Sequence, residues 1–403
     1  MYSRLKFSNF EFMIKTDTLI VGGGPSGSMC GIRLRQAGKD CLIVDRAQFP
    51  RMKLCAGVLT GKSRSVLVEV LGEQRLTELL THTQMSHESH LRLWQGKKCF
   101  VDVDFSKKSC IPKKYRNEDW RFVLVDRPSF DNALLNYYKS LAGKAIEGDG
   151  VRTIDFDNKK ATLASGETVC YNRLVVCDGA YSHVEQLLKK HDSTFKSKGK
   201  NALAYEINVD REDLDIDGIN VCFGYAPKTY AWAFAKGDKI CLGTCRLEGC
   251  RFSGEEAMSK FCEDLGLKHK EKCPLKGALI PFDNAMPVPL WHEHLFFCGD
   301  AAGLDEAVTG EGIFYALRSG TDAANCIIAG KPLLYLDDNR FLQRLMKKAA
   351  RYQKVLANPL LYKAFHFIVK HDNDLVGYFY FSQIDHASLH HFPYIALQRL
   401  KLV

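Results

Sequence analysis

The segment Gly22-x-Gly24-x-x-Gly27 constrains this chain more than any other, because it follows an apolar run, Asp17 to Val21, and opens a helical stretch reaching Gln36. A second apolar run, Cys41 to Val44, ends at Asp45. Strand, glycine turn, helix and second strand make one unit of a parallel sheet. In such a unit the first glycine allows a tight turn, the second lets backbone approach a pyrophosphate, and the third lets helix and strand pack closely. The unpaired N–H groups and positive dipole end of the helix then face the phosphates. Pro25 and Ser26 lie inside the turn. Asp45, with Arg46 beside it, is placed to accept from the ribose hydroxyls of an adenine dinucleotide. The turn alone does not separate FAD from NAD(P).

The rest of the chain predicts an α/β protein whose Rossmann-like domain is interleaved with an antiparallel-sheet domain and followed by a C-terminal helical region. Alternating pieces at Leu91 to Trp94 and Phe100 to Phe105 read as antiparallel strands, as do Ala202 to Val209, Tyr230 to Ala235 and Lys239 to Cys245. Phe130 to Ala142 and Ile313 to Ile328 have helical spacing, while Arg173 to Val176 and Leu295 to Cys298 are short apolar strands. Residues 13–60, 121–185 and 286–330 are therefore assigned to a discontinuous dinucleotide domain. Residues 61–120 and 186–285 are assigned to a substrate domain, and 331–403 to the helical region.

Composition excludes several classes. A net charge of +9, from 56 Lys and Arg against 47 Asp and Glu, is spread along the chain without an arginine-rich block, which argues against nucleic acid. Fifteen cysteines are scattered and odd in number, so a reducing compartment fits better than a disulfide scaffold. Cys241, Cys245 and Cys250 lack an adjacent fourth ligand, and His292 and His294 read as loop surface, so no metal is expected. The first twelve residues have neither a continuous apolar stretch nor a cleavage site, and no apolar run nears the length of a membrane span. The expected location is cytoplasmic, with peripheral contact at the inner face of a membrane.

Later segments separate the cofactors. Phe297-Cys-Gly299-Asp300-Ala-Ala-Gly303 continues as Thr309-Gly310-Glu311-Gly312-Ile313-Phe-Tyr-Ala-Leu-Arg318-Ser-Gly320. Here the chain resembles the geranylgeranyl reductase family of FAD proteins, within the larger group of aromatic hydroxylases and flavin-dependent halogenases. The resemblance covers residues from about 14 to 330 and implies FAD, with Asp300 on the ribitol chain. It further implies that Gly299, Gly310, Gly312 and Ile313 lie beside the flavin, where a glycine loop at a helix start can present N–H donors to the ring edge. Val176-Cys-Asp178-Gly179-Ala-Tyr-Ser182 is similar to the family's middle motif, although Glu185 stands near its usual arginine. Arg127 matches a cofactor-contacting arginine; pairing with Asp131 is its other reading.

Two segments resemble the reductase branch. Lys53-Leu-Cys55-Ala56-Gly57 is similar to its flavin loop, with Ala56 replacing a glycine. Tyr230-Ala-Trp232-Ala-Phe234-Ala-Lys236-Gly237 is similar to its aromatic strand, with Ala235 replacing a proline. Alternation puts Tyr230, Trp232 and Phe234 on one face, which either lines an apolar cavity or packs as sheet core. Cys55, Tyr230 and Trp232 are the catalytic candidates. The resemblance implies hydride transfer from reduced flavin to a carbon–carbon double bond of an isoprenoid or other apolar or lipid substrate. NAD(P)H or a redox protein would donate the electrons. An aromatic monooxygenase and a non-catalytic flavin-binding protein are the competing readings.

The stretch from Phe341 to Leu356 places Phe341, Leu345, Ala349, Tyr352 and Leu356 at helical spacing opposite Arg344, Lys347, Lys348, Arg351 and Lys354. That stripe either enters an anionic bilayer or packs on the protein.

Overall fold

The computed structural model describes residues 13–195, 201–227, 229–267, 274–281, 294–306, 309–331, 342, 344–345, 347, 349, 351 and 358–382. The first twelve residues, His292, Phe341, Lys348, Tyr352, Lys354 and Leu356 lie outside these. The chain begins with β1 (Met13–Val21), α1 (Pro25–Gln36), β2 (Cys41–Asp45), β3 (Val58–Leu59), α2 (Gly61–Leu71) and α3 (Glu73–Thr83). Next come β4 (Gln84–Glu88), β5 (His90–Gln95), β6 (Lys98–Asp104), β7 (Phe122–Val125) and α4 (Arg127–Ser140). Strands β8 (Lys144–Glu147), β9 (Val151–Asp155), β10 (Lys160–Leu163) and β11 (Thr168–Val176) lead to α5 (His183–His191). Strands β12 (Asn201–Asp210), β13 (Ile219–Phe223), β14 (Ala231–Lys236) and β15 (Lys239–Leu247) precede α6 (Gly254–Asp264). The remaining elements are β16 (Lys276–Pro281), β17 (Leu295–Phe297), α7 (Ile313–Ala329), α8 (Pro359–His371) and α9 (Asp374–Ser382).

The first sheet runs β8-β2-β1-β11-β10-β9, with β17 on β11. Strands β8, β2, β1, β11 and β17 are mutually parallel, so their C-terminal ends gather at one edge. β1 starts four residues before the apolar run, because Met13 to Thr16 pair with Thr168 to Tyr171. On one face Met29, Ile32, Phe130, Leu134, Leu317 and Ala324 bury α1, α4 and α7 in a common core.

Helices α2 and α3 fall within residues 61–120, assigned from the sequence to a substrate domain, yet they pack on the first sheet's side. Val66, Leu67, Val70, Leu76 and Leu79 are buried in that same core, because the apolar stripes of both helices face α7 and α4. Strands β3, β7 and β4 form a separate three-stranded sheet.

The second sheet runs β16-β12-β15-β14-β13-β5-β6, antiparallel except where β13 meets β5. Ile207, Val209, Ala231, Ala233, Ile240 and Leu242 on one face pack on Met258 and Phe261 of α6. The opposite face therefore looks towards the first sheet.

Among the described part of the C-terminal stripe, Leu345 and Ala349 are buried. Leu342 and Leu345 join the core holding Leu295 and Tyr315, while Ala349 packs with Ala202. Those two stripe residues thus pack on the protein and are not available to a bilayer, whereas Arg344, Lys347 and Arg351 are exposed. Val369 and Val376 anchor α8 and α9 on Phe100, Phe105 and Phe122.

Helices α1 and α7 cross with backbone almost touching: a Cβ at Gly320 would overlap the Ser26 carbonyl. Overpacking such a contact costs about 1–3 kcal/mol. Gly320→Val should lower stability by that amount in a denaturant titration, and an unchanged midpoint would show that the two helices can part freely.

Candidate active site

A cavity of about 1420 Å³ opens between the C-terminal ends of the first sheet and the free face of the second. It exceeds the roughly 300–1,000 Å³ of ordinary ligand pockets, which leaves room for a dinucleotide and a second molecule. Gly22 turns the chain at φ +108°, and a Cβ there would overlap the Cys177 carbonyl oxygen. Helix α1 then starts at Pro25 with neither a side-chain cap nor an acidic residue in its first turn. Its leading N–H groups and dipole are thus free to meet an anion.

Asp45 ends β2 and accepts from Gly23 N at 2.7 Å and Ala47 N at 2.8 Å. These bonds fix the carboxylate and leave further lone pairs facing the cavity. Further along the same edge, after β11 and β17, Asp178 accepts from Val184 N at 3.1 Å, and Asp300 pairs with Lys53 at 3.3 Å. Asp300 stands on the turn after β17, so an acceptor and a cation converge there from opposite ends of the sequence.

Most residues singled out from the sequence line this one cavity. Gly22, Gly24, Pro25, Ser26, Asp45, Arg46, Cys55, Ala56, Gly57, Arg127, Asp178, Gly179, Asp300, Gly310, Gly312 and Ile313 all do so. Gly27 and Gly299 are not in its wall; both are buried beneath it. Arg127 makes two 3.0 Å bonds to Asp131, the pairing that is its other reading, and the residue also lines the cavity. Arg51 adds a 3.5 Å contact to the same carboxylate.

One feature escaped the sequence reading. Lys62, on α2, forms a buried ion pair with Glu311, which also accepts from Thr60 Oγ1. The Lys62 ammonium lies 4.9 Å from the Phe314 ring centroid, 5.7 Å from Tyr315 and 5.8 Å from Tyr380. Cation–π attraction is strongest where charge is desolvated, so the rings compensate part of the lysine's burial. Glu311 stood in the glycine motif, but nothing local marked Lys62 as its partner 249 residues away.

The second sheet supplies the opposite wall. Tyr230, Trp232, Phe234, Phe223, Val221 and Ala204 line the cavity, so the alternation that grouped the three aromatics points them at the site. Trp232 lies over Gly243, the residue paired with it on β15.

The three catalytic candidates are differently placed. The Tyr230 hydroxyl donates to the Thr309 carbonyl, and burial, with Cys245, Glu306 and Glu311 nearby, pushes its pKa up. It clasps the Thr309–Gly312 turn to the sheet. The Cys55 sulfur accepts from Gly57 N at 3.4 Å and borders Arg127. Trp232 turns its indole nitrogen towards the Cys241 thiol, whose pKa is raised by burial.

Two predictions follow from this geometry. Removing one charge-assisted acceptor costs roughly 1.5–3 kcal/mol, so Asp45→Ala and Asp300→Ala should each weaken FAD retention about ten- to a hundredfold in a cofactor titration. Unchanged affinity in both variants would misplace the cradle. Lys62→Met leaves Glu311 buried without its cation, which should cost about 3–5 kcal/mol. Adding Glu311→Gln should recover most of the loss in a denaturant series, and equal stability in all three proteins would show the pair to be inert.

Residues 15–239 match the FAD binding domain family. A geranylgeranyl diphosphate reductase of Rhodobacter capsulatus is 26% identical over 345 residues, covering 79% of this chain and 78% of that protein. A menaquinone reductase of Mycolicibacterium smegmatis is 26% identical over 340 residues, covering 78% and 77% respectively. The crystal structure of a geranylgeranyl bacteriochlorophyll reductase-like protein from Thermoplasma acidophilum shares the fold, with a TM-score of 0.69 and 18% identity over 86% of this chain and 88% of that one. Because the family match spans more than half of the chain and takes in the glycine turn, Asp45, Arg127 and Asp178, this chain belongs to the FAD binding domain family, and FAD is its cofactor.

Proposed function

We propose that this protein uses reduced FAD to saturate a carbon–carbon double bond in an isoprenoid or another apolar, lipid-borne substrate. The observation that carries the reading is the continuity of the cavity, in which the cofactor cradle opens on to a sheet face of Leu91, Leu93, Ile219, Phe223, Trp232 and Phe234. Such walls suit a hydrocarbon chain, since each buried CH₂ contributes about 0.8 kcal/mol. The names of two relatives, geranylgeranyl diphosphate reductase and menaquinone reductase, support the same class of substrate.

FAD, when bound, supplies the hydride. The residues of this chain hold and orient the reactants. The start of α1 and Asp45 would hold the pyrophosphate and adenosine end, and Asp300 with Lys53 the ribitol chain. The backbone of Gly310 to Gly312 would face the ring edge, where fixed N–H donors favour negative charge. The Tyr230–Thr309 bond sets the spacing between that turn and the apolar sheet. The aromatic face excludes water and keeps the alkene near the reacting atom.

Electrons would come from NAD(P)H or from a redox protein. A lipid-borne substrate would be met at the inner surface of an anionic membrane by Arg344, Lys347 and Arg351, with Leu360 and Phe367, 76% and 62% exposed on α8, providing apolar contact. Among the described residues no helix is long and apolar enough to cross a membrane.

Protein reduced under anaerobic conditions and mixed with geranylgeranyl diphosphate or a menaquinone should yield, by mass spectrometry, a product carrying two added hydrogens. Substrate-dependent oxygen uptake with an oxygen atom in the product would instead make this a monooxygenase. Bound FAD that no donor reduces would make it a non-catalytic flavin-binding protein.

A further inference from the structure

Among the described residues seven carboxylates line the cavity: Asp45, Asp178, Glu206, Asp300, Asp305, Glu306 and Glu311. Six belong to the cradle side. Asp45, Asp178 and Glu306 accept backbone N–H groups, Asp300 and Glu311 pair with lysines, and Asp305 abuts Gly312. Glu206 stands apart on the apolar sheet. It lies in the register row Lys276–Glu206–Gly243–Trp232, two residues along β12 from the pocket-lining Ala204 and on the same face, and is only 4% exposed.

Glu206 is surrounded by one long hydrogen bond, a thiol and two lysines. Asn208 Nδ2 donates to it at a long 3.4 Å, and the Cys241 thiol, the Lys236 ammonium and, from β16, Lys276 face it. Lys236 is itself buried, and its Nζ comes within 3.4 Å of where a side chain at Gly57 would begin. Ala56 packs with Ala204, Trp232 and Cys241, so the Cys55–Gly57 loop covers this corner of the sheet. Burial raises the Glu206 pKa above the usual glutamate value, and outweighs Lys236, Cys241, Asn208 and Lys276, which lower it. Burial against apolar walls thus favours the neutral acid.

We propose that Glu206 is a catalytic residue, the acid that protonates the substrate alkene during its reduction. This assignment rests on the reductive reading given above. One alkene carbon receives the hydride from reduced FAD. At the neighbouring carbon the π electron pair forms the second C–H bond with the proton of the Glu206 carboxyl, whose O–H bond breaks. The carboxylate left behind faces the Lys236 ammonium and regains a proton from water once the product has gone. General acids of this kind contribute about 10²–10⁴-fold to rate.

Glu206→Gln keeps the shape and removes the acid, while Glu206→Asp restores an acid on a shorter arm. Infrared difference spectra of the FAD-loaded protein should contain a protonated-carboxyl band that shifts in D₂O and is missing from E206Q. In anaerobic single turnovers of the reduced holoenzyme with geranylgeranyl diphosphate, E206Q should keep its FAD and melting temperature yet react about 10²–10⁴-fold more slowly. The wild-type rate should fall as pH rises through the Glu206 pKa, above the usual carboxylate range. E206Q should lack that limb, and E206D should recover part of the rate. E206Q that retains the wild-type rate and pH limb, or a wild-type spectrum without the Glu206 band, overturns the role and leaves the reductive function standing. A wild-type protein that adds no hydrogen to any polyprenyl probe overturns the reductive function, and this role with it.

Discussion

The contact on which the rest of the molecule depends is the backbone approach at the end of β1, where the Gly22 turn meets the carbonyl of Cys177, just after β11. On that turn Gly27, whose added Cβ would overlap the Gly22 carbonyl oxygen, sets how close α1 can come to the sheet. The position of α1 in turn fixes α7, whose Gly320 rests on the Ser26 carbonyl. A glycine in each place converts three potential collisions into close packing. The start of α1, the end of β11 and the turn after β17 are thereby brought to the rim of one cavity.

The two sheets contribute to that cavity in different ways. The first offers strand ends and helix starts, where backbone N–H groups and short acidic side chains collect, as is usual at the carboxyl edge of parallel sheets. The second offers a broad face, whose character is set by side-chain alternation and is almost wholly apolar. Polar and apolar halves therefore meet along the line between the Gly310–Gly312 turn and Tyr230. Such a division suits the proposed function, in which a charged cofactor and an apolar substrate would share one enclosure.

Local signals were legible in proportion to how much their physics is local. The glycine turn, Asp45, the strand before Gly299-Asp300 and the alternation of Tyr230, Trp232 and Phe234 are each written within a dozen residues. The structure gathers nearly all of these positions around the same space. What could not be read depends on distant partners. Lys62 looks like any helix-start lysine until Glu311 and Tyr380 are placed beside it. Helices α2 and α3 read as part of a second domain because their apolar stripes do not name the surface that they cover. For Glu206 the parity Ala202, Ala204, Glu206 was present in the sequence, but which face of β12 looked on to the cavity depended on α6 covering the other.

The span of that gathering bears on how the chain reaches its working form in the cell. The cradle opens with Gly22 and is completed by the turn after β17 and the Thr309–Gly312 turn, while Tyr380 of α9 lies over Lys62, the lysine paired with Glu311. During translation the glycine turn, α1 and β2 emerge early, yet the segments that complete the enclosure are made hundreds of residues later. Elongation proceeds at about 5–20 residues per second. For many seconds a nascent chain exposes an unfinished nucleotide cleft and the apolar face of its second sheet. The cradle is complete only once α7 has been made, and a chain cut short before α7 would hold half a cradle and leave the apolar face of the second sheet uncovered.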